Sequence, residues 1–229
     1  MPFDPVYFLF IIPPFILSLF ASFRTKSNFK KYSKVRVSTG LTGAQAAAEM
    51  LRRSGVEGCK IVPTRGFLSD HYNPLTKTLA LSESVYSTPS IAAVGVACHE
   101  AGHAIQHATK YKALGLRSAL VPTANIGSNI GYFAMLIGLF IASSGLVLLG
   151  AVLFSAVVAF QLITLPVEFD ASARAKKAMV QFGIVGHGEE RGVAKVLNAA
   201  ALTYVAAAAS SLMTLLYFLM RAGLLGSRD

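Results

Sequence analysis

The chain has few charged residues and only two cysteines. Charged side chains make up 14% of its 229 residues, whereas 54% are apolar and the mean hydropathy is +0.56. Because soluble domains carry about 25% charged residues, this composition excludes an ordinary soluble domain and indicates a membrane protein.

Acidic residues are also scarce. The chain has 11 Asp and Glu against 21 Lys and Arg, which leaves a net charge of +10. The basic residues cluster beside an apolar stretch, and the sequence lacks a recognisable motif for reading nucleic acid. We therefore expect contact with anionic membrane lipid and no nucleic-acid partner.

Long apolar stretches dominate what the chain does contain. A helix needs about 20 apolar residues to span a bilayer. Four stretches are long enough: residues 6–23, 119–141, 145–167 and 200–220. The predicted fold class is a mainly α membrane protein with about four transmembrane helices.

The charges around the first stretch set the orientation. Only Asp4 precedes it, whereas six basic residues follow within positions 24–36. A cleaved signal peptide carries its positive charge before the apolar core, so we expect an uncleaved anchor with its following segment in the cytoplasm. Arg221 and Arg228 deviate from this rule, which leaves the orientation of the last span and the C-terminus open.

This topology describes a multi-pass protein of the inner (plasma) membrane. It divides one integrated domain into an anchor (1–23), a cytoplasmic α+β segment (24–118), a transmembrane hairpin (119–167), a second cytoplasmic segment (168–199) and a last helix with its tail (200–229). Cys59 and Cys98 fall in the first cytoplasmic segment, where thiols stay reduced, and we expect neither to bind metal.

The motif His99-Glu100-Ala101-Gly102-His103 carries the chemistry. The preceding run is apolar and free of proline, so it predicts a helix capped by Ser90 or Thr88. Residues four apart share one helical face, so His99 and His103 can bind one ion. Glu100 lies beside them as the general base that activates a water. We expect one Zn²⁺ per chain.

The third metal ligand is predicted to be Glu168, at the cytoplasmic end of the third span. A carboxylate there is costly unless it faces a partner, and the charge-based topology places it on the side of the histidines. His107 is about 12 Å from His99 along the helix and does not converge with it. Asp170 points about 200° away from Glu168 and is expected to support a ligating histidine. Alternatively, the two acids form an interfacial cap that pairs with Arg174 or Lys177.

The segment before the motif helix predicts a zincin-like α+β unit. Thr42–Gln45 has the spacing of a capping box, and Gly55 can end that helix. Strands are predicted at 59–62 and 76–81 with a turn at Asn73-Pro74, and the second strand is expected to be an unpaired edge that a substrate peptide can join. His71, Tyr72 and Tyr204 are candidates for stabilising an oxyanion.

Five blocks in order resemble the YugP-like family of bacterial membrane zinc metallopeptidases: residues 68–74, 81–86, 99–107, 165–172 and 199–205. The resemblance implies a neutral zinc peptidase of the gluzincin type. The chain is also distantly similar to the HtpX-like and prenyl-protein membrane proteases, whose third ligand is a Glu in an E-x-x-x-D block. Position 172 is Ser, so the second carboxylate of that block has no counterpart here.

The predicted function is hydrolysis of peptide bonds of protein substrates at the cytoplasmic membrane face. A non-catalytic zinc-binding sensor or scaffold is the alternative, and it requires a closed site with four ligands. A transporter would use Asn125, Ser128 and Asn129 as its polar pathway, although these side chains could equally form interhelical hydrogen bonds. Residues 186–191 are either a substrate loop or a helix start. A regulatory membrane partner or a homo-oligomer is also left open.

Overall fold

The computed structural model describes residues 5–225, so Asp4 and Arg228 lie outside the described residues. The chain is mainly helical with one small sheet, as predicted. The helices are α1 (Pro5–Tyr32), α2 (Gly43–Arg53), α3 (Glu83–Tyr86), α4 (Ile91–Ala108), α5 (Lys112–Ile126), α6 (Tyr132–Phe140), α7 (Ser144–Gln181) and α8 (Glu190–Arg221). A π-helical turn, Gly127–Gly131, joins α5 to α6.

Three helices within residues 5–225 are long and apolar enough to cross a membrane: α1, α7 and α8. The remaining predicted span, 119–141, is helical but divided between α5, the π turn and α6. The side chains of Ser128 and Asn129 each donate a hydrogen bond, of 3.0 Å, to the backbone oxygen of Asn125. Such local bonds compete with the regular helical ladder and accompany the wide turn. Four transmembrane spans therefore stay a prediction.

Close packing joins α6 to the first part of α7. A Cβ on Gly138 would lie 2.7 Å from the backbone nitrogen of Val147, and one on Gly150 would lie 2.6 Å from that of Met135. Small residues allow membrane helices to approach this closely. The two segments therefore form a tight antiparallel pair of the kind expected for a transmembrane hairpin.

The described residues form two compact units. The first contains the residues up to Ala21, Gly115–Pro166 and those from Thr203 onward, and the second contains Ser22–Leu114 and Val167–Leu202. The core of the second unit consists of apolar side chains from α2, α4, α7 and the sheet, among them Met50, Leu79, Val94 and Met179. Every residue of the metal-binding motif lies in this second unit.

The sheet has three strands: β1 (Lys60–Thr64), β2 (His71–Asn73) and β3 (Thr78–Ser82). Their order is β1-β3-β2, with β3 parallel to β1 and antiparallel to β2. The prediction that residues 76–81 form an edge strand is therefore wrong, because a third strand pairs with the free side of β3. Leu79 to Leu81 are buried as a central strand requires, and the edges belong to β1 and β2.

Side-chain hydrogen bonds cap the N-terminal ends of α2 and α4. Thr42 and Gln45 form the predicted capping box before α2, with bonds of 3.3 and 2.9 Å. Ser90 caps α4, because its hydroxyl accepts a 3.2 Å bond from the backbone N–H of Ala93. Of the two predicted caps, Ser90 is thus the one that is used.

Candidate metal centre

A glycine in the motif sets the distance between α4 and α7. A Cβ built on Gly102 would lie 2.6 Å from the backbone oxygen of Ala171, which is closer than any side chain tolerates. The helices therefore approach nearly backbone to backbone at this point. As a result, the histidine face of α4 is held against the part of α7 that follows Pro166.

Three side chains converge across this contact. Nε2 of His99 lies 3.1 Å from Oε2 of Glu168, and Nε2 of His103 lies 3.5 Å from the same oxygen. All three potential ligand atoms lie within 4.8 Å of one another. In a tetrahedral zinc site with bonds of about 2.05 Å, neighbouring ligand atoms are about 3.3 Å apart. The donor set therefore fits Zn²⁺, and the 3.1 and 3.5 Å distances from the two imidazoles to Glu168 lie close to this spacing.

The three side chains differ in exposure. The side chain of Glu168 is 3% exposed, that of His103 is 8% exposed and that of His99 is 13% exposed. A buried carboxylate is stable only with a cationic or hydrogen-bonding partner. Burial alone would lower the pKa of His103, but its hydrogen bond with Glu168 and the charge of Glu100 raise that pKa above its usual value. The carboxylates of Glu100 and Glu168 therefore favour a positive charge at this site.

Glu100 lies one residue from the first histidine and is itself 8% exposed. Within residues 5–225, its carboxylate makes no hydrogen bond or ion pair. Every fully buried side-chain oxygen of these residues has a partner, so the carboxylate oxygens of Glu100 reach solvent. A nearly buried carboxylate without a protein partner is free to accept a proton from a water molecule. This is the arrangement that a general base requires.

Hydrogen bonds hold the other nitrogen of each imidazole. Nδ1 of His99 lies 3.0 Å from the hydroxyl of Ser172. Nδ1 of His103 lies 2.9 Å from Oε1 of Gln106. Gln106 is not among the residues predicted from the sequence, although a residue three positions after His103 lies on the same helical face.

Asp170 does not contact either histidine. Its Oδ2 accepts a 2.8 Å bond from Gln106 and a 2.6 Å bond from Arg174. The predicted support of a ligating histidine is therefore indirect, through Gln106. The predicted pairing with Arg174 exists at the same time, and it holds the carboxylate in place.

The remaining predicted residues lie outside the three-residue cluster. Nδ1 of His107 bonds to the hydroxyl of Tyr72 at 2.9 Å, and Nδ1 of the exposed His71 bonds to the backbone oxygen of Ser69 at 2.8 Å. Tyr204 lies in α8, within the first unit. The oxyanion role of His71, Tyr72 and Tyr204 stays a prediction.

Neither cysteine belongs to the cluster. Cys98 is fully buried in the core of the second unit, and burial raises the pKa of its thiol. Cys59 is partly buried, and its thiol pKa is raised for the same reason. Burial of both thiols therefore favours their protonated form.

Two histidines and a glutamate are one of the sets of three protein ligands found in catalytic zinc sites, where a water takes the fourth position. Comparison with known proteins agrees with this class. Residues 7–223 match the family described as "Putative neutral zinc metallopeptidase", and the chain belongs to this family. The predicted family resemblance is thus confirmed.

One curated relative is similar over most of the chain. It is the "Putative membrane protease YugP" of Bacillus subtilis (strain 168), and it is 52% identical over 204 residues. The match covers 89% of this chain and 91% of the relative. No solved structure matches the chain.

Proposed function

We propose that this protein is a membrane zinc peptidase that hydrolyses peptide bonds of protein substrates at the cytoplasmic membrane face. His99, His103 and Glu168 would hold one zinc ion, and Glu100 would act as the general base. The convergence of three ligand atoms within 4.8 Å, although Glu168 is 69 and 65 positions from His99 and His103 in the sequence, is the observation that supports it most strongly.

The chain's own groups fit each step of peptide hydrolysis. Bound zinc would lower the pKa of a water molecule and polarise the scissile carbonyl. Glu100 accepts the proton as the water oxygen bonds to the carbonyl carbon. It then donates that proton to the leaving nitrogen as the C–N bond breaks. His99 and His103 would each offer the Nε2 lone pair of a neutral imidazole to the ion, and Glu168 would supply negative charge.

The alternative of a closed structural zinc site is less well supported. It requires a fourth protein ligand, for which His107 or a cysteine was the candidate. His107 instead bonds to Tyr72, and Cys98 lies within the hydrophobic core. A transporter pathway is likewise less well supported, because Ser128 and Asn129 bond to the backbone of their own helix.

The proposed location rests on α7 and on the basic residues after the first span. With 38 residues, α7 is about 57 Å long, whereas the hydrocarbon core of a bilayer is about 30 Å thick. If residues 145–167 cross the membrane, Glu168 emerges at one surface. The six basic residues at 24–36 favour the cytoplasmic surface for this end.

Purified protein in detergent allows a direct test of the reaction. We expect one zinc per chain by metal analysis and cleavage of an unfolded protein substrate. Glu100→Gln should keep its zinc and lose activity by about 10²–10⁴-fold, because the base is missing. The exposed Glu57→Gln is the matched control and should leave activity unchanged. Equal activity of Glu100→Gln and the wild type would contradict the proposed mechanism.

A further inference from the structure

Gln106 is completely buried, yet it is polar and lies one helical turn beyond His103. A buried amide that loses a hydrogen bond is left with an unsatisfied polar atom, which destabilises the folded protein. Both ends of this amide are bonded: Oε1 faces Nδ1 of His103 at 2.9 Å, and Nε2 donates 2.8 Å bonds to the backbone oxygen of Val167 and to Asp170. The orientation of the amide therefore decides which of its atoms faces Nδ1 of His103.

The partners on the far side fix which way the amide points. The backbone oxygen of Val167 and the carboxylate of Asp170 can only accept hydrogen bonds. A rotated amide would place its oxygen 2.8 Å from both of them, without a proton between. The NH₂ group must therefore face Val167 and Asp170, and the amide oxygen must face His103.

An amide oxygen accepts a hydrogen bond, so Nδ1 of His103 must carry a proton. In a neutral imidazole, Nε2 then holds the lone pair. That nitrogen is the atom 3.5 Å from Oε2 of Glu168. The amide thus selects the tautomer that a metal ligand needs and fixes the plane of the ring.

Asp170 and Arg174 hold this amide in turn. Arg174 donates a 2.6 Å bond to Asp170, and its guanidinium lies over the ring of Tyr111, 5.6 Å from the ring centroid. The network therefore ties His103 to α7 and to the residues that follow α4. Its members on α7, Val167 and Asp170, flank Glu168 in the sequence.

We propose that Gln106 is a positioning residue that sets the tautomer and orientation of His103 for metal binding. The inference rests on the proposed function, because it takes His103 to be a zinc ligand. Loss of an outer hydrogen-bond partner of a metal ligand lowers metal affinity by about 10–100-fold. We expect Gln106→Leu, which removes the polar atoms and leaves a branched apolar side chain one heavy atom shorter, to weaken zinc binding by this factor.

The test measures the Kd for zinc of the full-length protein by competition with a chromophoric chelator. Cys98→Ala is the control, because it alters a buried residue of the same helix outside this network. We expect weaker binding in Gln106→Leu and unchanged binding in Cys98→Ala. Equal Kd values for Gln106→Leu and the wild type, or equal weakening in both variants, would overturn the inference. A wild type that binds no zinc would overturn the proposed function and this inference with it.

A second measurement does not depend on a variant that folds. In ¹H–¹⁵N spectra of histidine-labelled, zinc-loaded wild type, we expect the His103 resonance to show a proton on Nδ1 that exchanges slowly with solvent. The resonance is assigned from its absence in His103→Asn. Zinc bound through Nδ1, or a rapidly exchanging Nδ1 proton, would overturn the assignment of Gln106. Where Gln106→Leu folds, it should populate both tautomers when zinc-free at high pH.

Discussion

Gly102→Ala is the substitution that most directly tests how the two helices build the metal centre. The added Cβ would lie 2.6 Å from the backbone oxygen of Ala171, whereas ordinary contact begins at 3.4 Å. Because the obstacle is backbone, α4 and α7 must separate by about 0.8 Å, the difference between these two distances. Overpacking of this kind costs about 1–3 kcal/mol.

The same separation acts on the ligand atoms, because His99 and His103 lie on α4 and Glu168 lies on α7. A shift of about 0.8 Å would lengthen the 3.1 Å distance from His99 to Glu168 to about 3.9 Å. At about 3.9 Å, two zinc bonds of about 2.05 Å would have to open well beyond the tetrahedral angle, at which neighbouring ligand atoms are about 3.3 Å apart. We therefore expect Gly102→Ala to bind zinc at least about tenfold more weakly than the wild type.

Gly95→Ala is the matched control in the same helix. Its Cβ would meet a methyl group of Val193 at 3.3 Å, and this side chain can yield by a small rotation. Both substitutions gain the same helix propensity, about 1 kcal/mol, so the propensity effect cancels in the comparison. Chelator competition gives the two Kd values. If Gly102→Ala bound zinc as tightly as Gly95→Ala, the reasoning about helix separation would be refuted.

Three further results follow from other parts of the structure. Removal of zinc with a chelator should abolish peptidase activity and lower the wild-type Tm, since a ligand present at 100 times its Kd stabilises a protein by about 2.7 kcal/mol. In Glu168→Ala, the chelator should change the Tm much less. Equal Tm changes in the two proteins would argue against Glu168 as a ligand. Ser90→Ala should lower the free energy of unfolding by about 1 kcal/mol because it removes the cap of α4, whereas Thr88→Ala should not, and denaturant titration compares the two. Burial raises the pKa of Asp70 above its usual value, although Ser82 donates hydrogen bonds to its carboxylate. The folded state therefore favours protonated Asp70, and this contribution to the free energy of unfolding is lost as pH rises from the usual Asp pKa through the raised pKa of the folded state. Asp70→Asn should flatten the pH dependence of stability in that window, and an unchanged slope would contradict the assignment.

The helix caps and the helix that carries the histidines depend on residues close in sequence, so they could be predicted from the sequence. The capping box at Thr42, the Ser90 cap and the helix that carries the histidines follow from spacing and side-chain chemistry. Glu168 was selected because a carboxylate at the end of an apolar helix needs a partner. The structure places it beside the histidine pair, 65 or more residues away in sequence.

Features that depend on distant contacts were missed. Strand β2 has only three residues and ends at a turn, so its pattern is too short to recognise, yet its pairing makes β3 a central strand. The break in the 119–141 stretch is a local feature: it is accompanied by two side chains that bond to the backbone oxygen of Asn125, which mean hydropathy does not register. Gln106 has the right spacing from His103, but its partners on α7 are visible only in the folded chain.

X-ray absorption at the zinc edge of the metal-loaded protein tests the central claim most directly. We expect a first shell of nitrogen and oxygen atoms only, at about 2.0–2.2 Å, with the multiple-scattering pattern of two imidazoles. In Glu168→Ala, one oxygen should be lost or replaced by water, and the imidazole pattern should remain. A sulfur shell at about 2.3 Å, or a count of three or four imidazoles, would contradict the His99–His103–Glu168 site.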